Sequence, residues 1–234
     1  MQHTSKQLLL LLSMVVSLCA CAGLPGIGHT MHWKEEVKLH DGQVMVVDRF
    51  FNLGGYPAIE SHNRSPLDET LIFTLPGSSA VITWKTEFND YSPELNSLGP
   101  LLLDVMDGIP YLATSPVGCI AYNKWGRPNP PYVLFKYVNE TWQRIPLEAF
   151  PSILVQSNLI GRPDLRILKP YYTLEQVKGQ LQGWTIAPEA RSILRQGLSK
   201  ARLEQMCEER VLYKGYWILP NDPVAKSIID QRMK

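Results

Sequence analysis

The stretch Thr70-Leu-Ile-Phe-Thr-Leu75-Pro76-Gly77-Ser-Ser-Ala80-Val-Ile-Thr-Trp-Lys85 decides the fold class. Two runs rich in β-branched and aromatic residues, 70–75 and 80–85, flank a Pro-Gly pair. Proline presets the first central position of a type II turn and glycine accepts the positive φ of the second, so the stretch reads as a β-hairpin. Three more pairs of runs repeat the pattern: 37–39 with 43–47 around Asp41-Gly42, 101–106 with 109–114 around Asp107-Gly108, and 132–138 with 141–145 around Asn139-Glu140. Asp-Gly tolerates the two positive φ angles of a type I′ turn, whereas Glu140 fits one poorly. Pro110 lacks a ladder donor, which predicts an edge position for its strand. The turns start at residues 41, 76, 107 and 139, spacings of 35, 31 and 32, and Trp84 and Trp142 both lie in returning strands. That regularity is similar to propeller blades, but eight strands supply only about two four-stranded blades, too few to close a ring. The expected class is α+β, mainly antiparallel β, a hairpin-built sandwich, barrel-like sheet or meander over residues 31–150 with a smaller α-rich portion at 151–234 packed on it.

Past Pro170 the periodicity turns helical. Thr173 and Gln176 form a capping-box pattern before Leu174, Val177 and Leu181, and Gly183 ends that helix. Pro188 begins a longer candidate helix to about Arg210, with Ala190, Leu194, Leu198 and Ala201 as its buried stripe. Gly197 weakens it by about 1 kcal/mol relative to alanine and can divide it in two. Residues 213–219 read as one further strand.

The N-terminus carries a different message. A short polar start with Lys6 precedes an eleven-residue apolar run, 8–18, and then Leu18-Cys19-Ala20-Cys21. A bilayer-spanning helix needs about 20 apolar residues, so this run fits a cleaved signal peptide, residues 1–20. The tetrapeptide resembles the lipobox of bacterial lipoproteins, which implies cleavage before Cys21, diacylglyceryl transfer to its thiol and acylation of the new amino terminus. Cys19 competes poorly, because bulky Leu18 would then stand where the peptidase prefers a small residue. A multiply acylated anchor holds stably. By resemblance to Gram-negative lipoproteins, Ala22 at the second mature position implies the periplasmic face of the outer membrane. Residues 21–30, with glycines and a proline, read as a lipidated tether.

Losing residues 1–20 removes one of the 23 basic residues, Lys6, and none of the 22 acidic ones, so the mature chain is neutral. Without a basic run it has no electrostatic footprint for nucleic acid, and its expected membrane contact is the lipid. Cys119 and Cys207 remain, either bridged in an oxidising compartment or as two separate buried thiols. The five histidines all lie at or before position 62, so a nucleophilic Cys119 would need the N-terminal region folded back on it.

Chemical motifs are scarce. The sequence contains no phosphate loop, His-Glu-x-x-His helix, Cys-x-x-Cys pair or Gly-x-Ser-x-Gly elbow. His29, His32 and His40, with Asp41 or Asp48, match no closed metal site, so neither metal nor other cofactor is expected. Asp104 is read as the polar face of a strand and Asp107 as a turn residue. Trp125, Arg127, Asn129 and Tyr132, within Trp125-Gly126-Arg127-Pro128-Asn129-Pro130-Pro131-Tyr132, are of the types that dominate recognition surfaces, and read either as a binding surface or as a stiff connection packed on the sheet.

The string Tyr122-Asn-Lys-Trp-Gly-Arg-Pro-Asn-Pro-Pro-Tyr-Val, followed by Phe135-Lys-Tyr and Trp142-Gln-Arg-Ile-Pro-Leu-Glu, is similar to a segment of uncharacterised proteobacterial outer-membrane lipoproteins. With the leader and the His40-Asp41-Gly42 turn, the resemblance covers residues 1 to about 150 and carries no assigned reaction. The expectation is a non-enzymatic envelope binding module contacting an envelope protein or glycan. Its alternatives are a periplasmic immunity or inhibitor lipoprotein and a cell-envelope hydrolase. Metabolic labelling with an alkyne palmitate analogue should mark the wild-type chain and not Cys21→Ser; label retained by the variant would move the anchor elsewhere.

Overall fold

The computed structural model describes residues 29–56, 63–91, 93–183 and 186–233. The leader, Cys21 and most of the expected tether lie outside the described residues. In chain order the elements are β1 (His29–Lys38), β2 (Val44–Gly54), β3 (Ser65–Thr74), β4 (Val81–Glu87), β5 (Leu98–Met106), β6 (Ile109–Pro116), α1 (Cys119–Lys124), β7 (Val133–Val138), β8 (Thr141–Ile145), β9 (Tyr171–Tyr172), α2 (Leu174–Leu181), α3 (Pro188–Arg191), α4 (Lys200–Met206), β10 (Val211–Tyr213), β11 (Tyr216–Ile218) and α5 (Pro223–Arg232). β1 starts at His29, inside the stretch read as tether.

The chain is α+β and mostly antiparallel, and neither of its two large sheets closes into a barrel among the described residues. The first two hairpins form one meander, extended by β9 in the order β4-β3-β2-β1-β9, and the last two form a second, β5-β6-β7-β8. Strand alternation aims Val37, Val47, Leu71 and Phe73 of the first sheet at Leu98, Leu103, Val105 and Leu112 of the second, giving a sandwich core. The far side of the second sheet, with Leu102, Ala113 and Leu134, is covered by Phe150, Leu154 and Ile193. Residues 151–181 then return to the first sheet, where Ile160, Tyr172 and Val177 cover Met31, Trp33, Phe51 and Leu53.

The turns follow local chemistry with two departures. Gly77 takes φ +75° at the Pro-Gly turn, and Asp107 (50°) with Gly108 (75°) makes the expected pair of positive angles. Asn139 (51°) and Glu140 (59°) do likewise, although glutamate fits there poorly. At the first hairpin only Gly42 is positive, at 89°, and Leu39 N donates to Gln43 O (2.9 Å). This is a three-residue loop in place of a type I′ turn, because the Asp41 carboxylate accepts from Gln43 N (2.9 Å) and holds its own residue in a right-handed turn. Pro110 does not put β6 at an edge: β6 lies between β5 and β7. The β7 ladder reaches only Tyr111, so the missing N–H falls beyond its end.

The C-terminal portion matches the sequence pattern in α2 and departs from it afterwards. Thr173 and Gln176 make the capping box. The expected 188–210 helix is two short ones, α3 and α4, because Ser192 leaves helical geometry (φ −142°, ψ 140°) and Ile193 N donates to Val155 O (2.8 Å). Pairing with another segment overrides helix propensity here. The single expected strand at 213–219 is the hairpin β10–β11, turning at Lys214-Gly215, and α5 follows behind its Asp222 cap. Cys119 and Cys207 are bridged, with Cα atoms 5.1 Å apart.

One charged group sits inside the first sheet. Arg49, 1% exposed, donates from Nη1 to Glu35 Oε1 (2.5 Å) and from Nε to Glu69 Oε1 (2.8 Å), with Nη2 also on Glu69. Glu35 and Glu69 are diagonal neighbours of Arg49 across β1 and β3, and the guanidinium lies over Trp33, 5.0 Å from its ring centre. Burial raises both carboxyls above the usual 4.5, an effect only partly offset by Arg49. Burial also opposes the charge on Arg49, but Glu69 and Glu35 more than offset it.

Arg49→Met should cost about 3–5 kcal/mol in urea unfolding, since it strands two buried carboxyls, and adding Glu35→Gln and Glu69→Gln should recover most of the loss. Because the folded carboxyls titrate above 4.5, the stability they contribute is complete below that pH and falls as pH rises through their raised range. The wild type should therefore lose urea resistance relative to Glu69→Gln as pH climbs from 4.5.

Candidate functional site

The three-residue loop after β1 carries His40 to the second sheet. His40 N donates to Asp104 Oδ2 (2.8 Å) and its ring Nδ1 lies 2.7 Å from Oδ1, which also accepts Val105 N (2.7 Å). A carboxylate only accepts, so Nδ1 carries the proton and Nε2 is the nitrogen left for another partner. Asp104 is 3% exposed. It is not the solvated face of a strand, as its position suggested, but a bridge between the sheets.

His40 and Asp104 stand at a groove of about 850 Å³, within the range of about 300–1,000 Å³ usual for ligand sites. β9 pairs with β1 only at Lys34 and Glu35, and past that point α2 runs beside the β1 edge. The Glu36 carboxylate fixes that helix, accepting from Leu174 N (2.8 Å) and Tyr171 OH (2.9 Å). Residues 153–158 form the facing wall. Asn158 pins it by donating to Lys38 O (3.1 Å) and Leu103 O (2.8 Å) and accepting from Leu103 N (2.9 Å), one side chain bonded to both sheets. Arg191 and Ser192 complete the lining, with Ser157 N donating to Arg191 O (3.0 Å).

The floor is apolar, with Leu39, Leu102, Leu154 and Val177 buried, and Lys38 and Lys178 stand exposed on the rim. The linings' acids are mostly engaged: Asp104 by His40, Glu36 by Tyr171 and α2. Two lining atoms, Ser157 Oγ and Arg191 Nε, are buried without a hydrogen-bond partner.

The histidines read as a metal-like cluster are separated. His32 pairs with Asp48 at 2.6 Å and stacks on Phe50, whereas His40 belongs to Asp104. Among the described residues no three His, Cys, Asp or Glu side chains are placed to hold a metal.

In the aromatic and proline-rich patch Trp125 and Tyr132 are buried, Arg127 is half-buried and Asn129 exposed, and all four side chains are engaged within the chain, as in the reading of a stiff connection. Trp125 is 9% exposed and donates to Asn96 O (2.8 Å). Arg127 lies over Tyr122 and donates to Cys207 O (2.9 Å). The Asn129 amide both donates to Leu198 O (3.0 Å) and accepts from Leu198 N (2.6 Å), as a paired strand would. Tyr132 OH accepts from Leu194 N (3.1 Å) and faces the carbonyls of Glu189 (2.8 Å) and Ser192 (2.9 Å); burial pushes its phenol up to about 12. Arg127, Asn129 and Tyr132 are spent on holding residues 189–207 in place, while Trp125 is anchored on Asn96.

Sequence reasoning missed the groove because its walls come from five separated segments. Asp104, the lone acid in Leu101-Leu-Leu-Asp-Val-Met, carried a signal; Asn158 carried none. No family model, curated protein or solved structure matches this chain.

Tyr132→Phe should lower unfolding free energy by about 1–3 kcal/mol, since it strands Leu194 N in a buried site. Hydrogen exchange should then rise at residues 192–198 and stay unchanged in β1–β4.

Proposed function

We propose that this chain is a non-enzymatic, lipid-anchored protein of the periplasmic face of the outer membrane that binds an envelope component in the groove beside His40. The groove carries the reading: separate segments are each pinned by their own polar bridge so that an apolar floor stays open under a charged rim of Lys38, Lys178 and Glu175. Leu18-Cys19-Ala20-Cys21 supports the anchor, and the Cys119–Cys207 bridge suits an oxidising compartment.

A cell-envelope hydrolase is the rival reading, favoured by the His40–Asp104 pair, which has the arrangement of a base and its orienting acid. Among the described residues no serine, threonine or cysteine side chain is hydrogen-bonded to His40 or Asp104. The acids that burial perturbs, Glu35 and Glu69, lie inside the first sheet and not along the groove. Binding therefore accounts for more of the geometry than catalysis does.

A photoreactive amino acid at Gln182, on the groove, should give one discrete adduct in the intact envelope, and the same probe at Val81, on the exposed far strand, should not. Equal adducts at both positions, or none at Gln182, would overturn the reading.

A further inference from the structure

We infer that the groove takes an amphiphilic aliphatic carboxylate, its head on Arg191 and Ser157 and its chain along Leu39, Leu154 and Val177, an inference that rests on the groove being the binding site. The first observation is the pair of orphaned donors. Ser157 is 8% exposed and its Oγ has no partner; Arg191 Nε is likewise buried and unpaired. Both residues line the groove, and the bond from Ser157 N to Arg191 O (3.0 Å) makes them neighbours. Arg191 Nη2 donates to Gly183 O (2.9 Å), which holds the guanidinium by one end and leaves Nε for another acceptor. Unpaired buried donors are costly and rare in native proteins, and an acceptor that arrives with a ligand accounts for two of them on neighbouring residues.

Charge narrows the acceptor. Lys38 and Lys178 also line the groove, with no carboxylate within ion-pair distance among the described residues, whereas Glu36 and Asp104 already accept hydrogen bonds. Glu175, the third acid of the lining, is exposed, and among the described residues it makes no ion pair with any of the three cations. Two donors on backbone-paired residues, one of them on a guanidinium, match the two oxygens of a carboxylate. A phosphate monoester would bring a third oxygen and more charge than these two donors serve.

The walls narrow the rest of the ligand. A peptide lying in the groove would need backbone partners, yet Ser157 N, Ile193 N and Lys38 O already bond within the protein. What remains exposed to the ligand's body is mostly hydrocarbon, which an aliphatic chain satisfies without leaving amides unpaired.

The test is isothermal titration of the purified full-length chain with dodecanoate below its micelle concentration, beside dodecyl phosphate and a leucine-rich peptide with a free C-terminal carboxylate. Dodecanoate should bind one to one and more tightly than either. Ser157→Ala should weaken it about tenfold while leaving the thermal midpoint equal or higher, because the variant removes an unpaired hydroxyl and breaks no bond. Arg191→Met should weaken it further. Tighter binding of the phosphate or the peptide, no binding of dodecanoate, or unchanged affinity in Ser157→Ala would overturn the inference. If dodecanoate fails while the Gln182 adduct forms, only the ligand class falls; if both fail, the groove is not the binding site.

Discussion

Arg49, held between Glu35 and Glu69, fixes where the returning chain crosses the first sheet. The inner face of that sheet is one surface with two covers: the second sheet lies over Val37, Val47 and Phe73, and residues 160–177 lie over Met31, Trp33 and Phe51. The charged row marks the seam between them. Glu35 Oε2 accepts Ile160 N (2.9 Å) and Arg49 Nη1 donates to Ile160 O (3.2 Å), so both backbone groups of one residue are fastened there. Apolar burial drives the two covers onto the sheet but has no direction, and cannot specify the crossing to a single residue. A buried ion cluster adds little net stability, yet any displacement would leave a charge unpaired. Its contribution is registry.

The groove follows from that registry. Asn158 lies two residues before Ile160, and with the crossing fixed its amide reaches Lys38 of the first sheet and Leu103 of the second. His40 and Asp104 span the same gap from the other side. The end of the sandwich is therefore closed by polar bridges and not by interlocking hydrocarbon, which leaves a groove open above buried apolar side chains such as Leu39 and Leu154. A row of leucines in place of Asn158, His40 and Asp104 would have filled the mouth and erased the site.

What the sequence made legible was local. Pro76-Gly77, Asp107-Gly108 and the Thr173 capping box each state their geometry within four residues, and each appears as read. Pro110 misled because its cost depends on how far β7 extends, which is a property of another strand. The helix expected across 188–210 failed because Ser192 and Ile193 find backbone partners at Gln156 and Val155. Gly197, read as a weak point in that helix, is where the Asn129 amide approaches: an added Cβ would lie 2.9 Å from Asn129 Nδ2. Glu35 did leave a trace, since alternation puts it inward with Trp33 and Val37. An inward glutamate demands a buried cation, but nothing local says that the cation is Arg49.

Residues 199–233 raise the question of what holds them. Of residues 199–233 only Ile218 and Ile229 are buried hydrophobics, while Leu212, Tyr216, Leu219, Val224 and Ile228 remain exposed. At about 1.5–3 kcal/mol for each buried side chain, so small a core falls well short of the ordering entropy of the segment. Tyr213 and Lys214 both bond Asp230, which ties α5 to the β10–β11 hairpin but not the pair to the sandwich. The segment is attached through the Cys119–Cys207 bridge, with Arg127 on Cys207 O and Asn123 between Glu208 O and Arg210 N, and through Arg202 on Glu189 of α3. Joining residues 88 apart removes closure entropy from the unfolded chain by about 4–5 kcal/mol in the simplest chain account. The proline-rich patch is therefore spent on the same task as the disulfide. Arg127 and Asn123 seat the start of the segment and Asn129 holds Leu198 just before it, and this explains why so recognition-like a sequence faces its own chain.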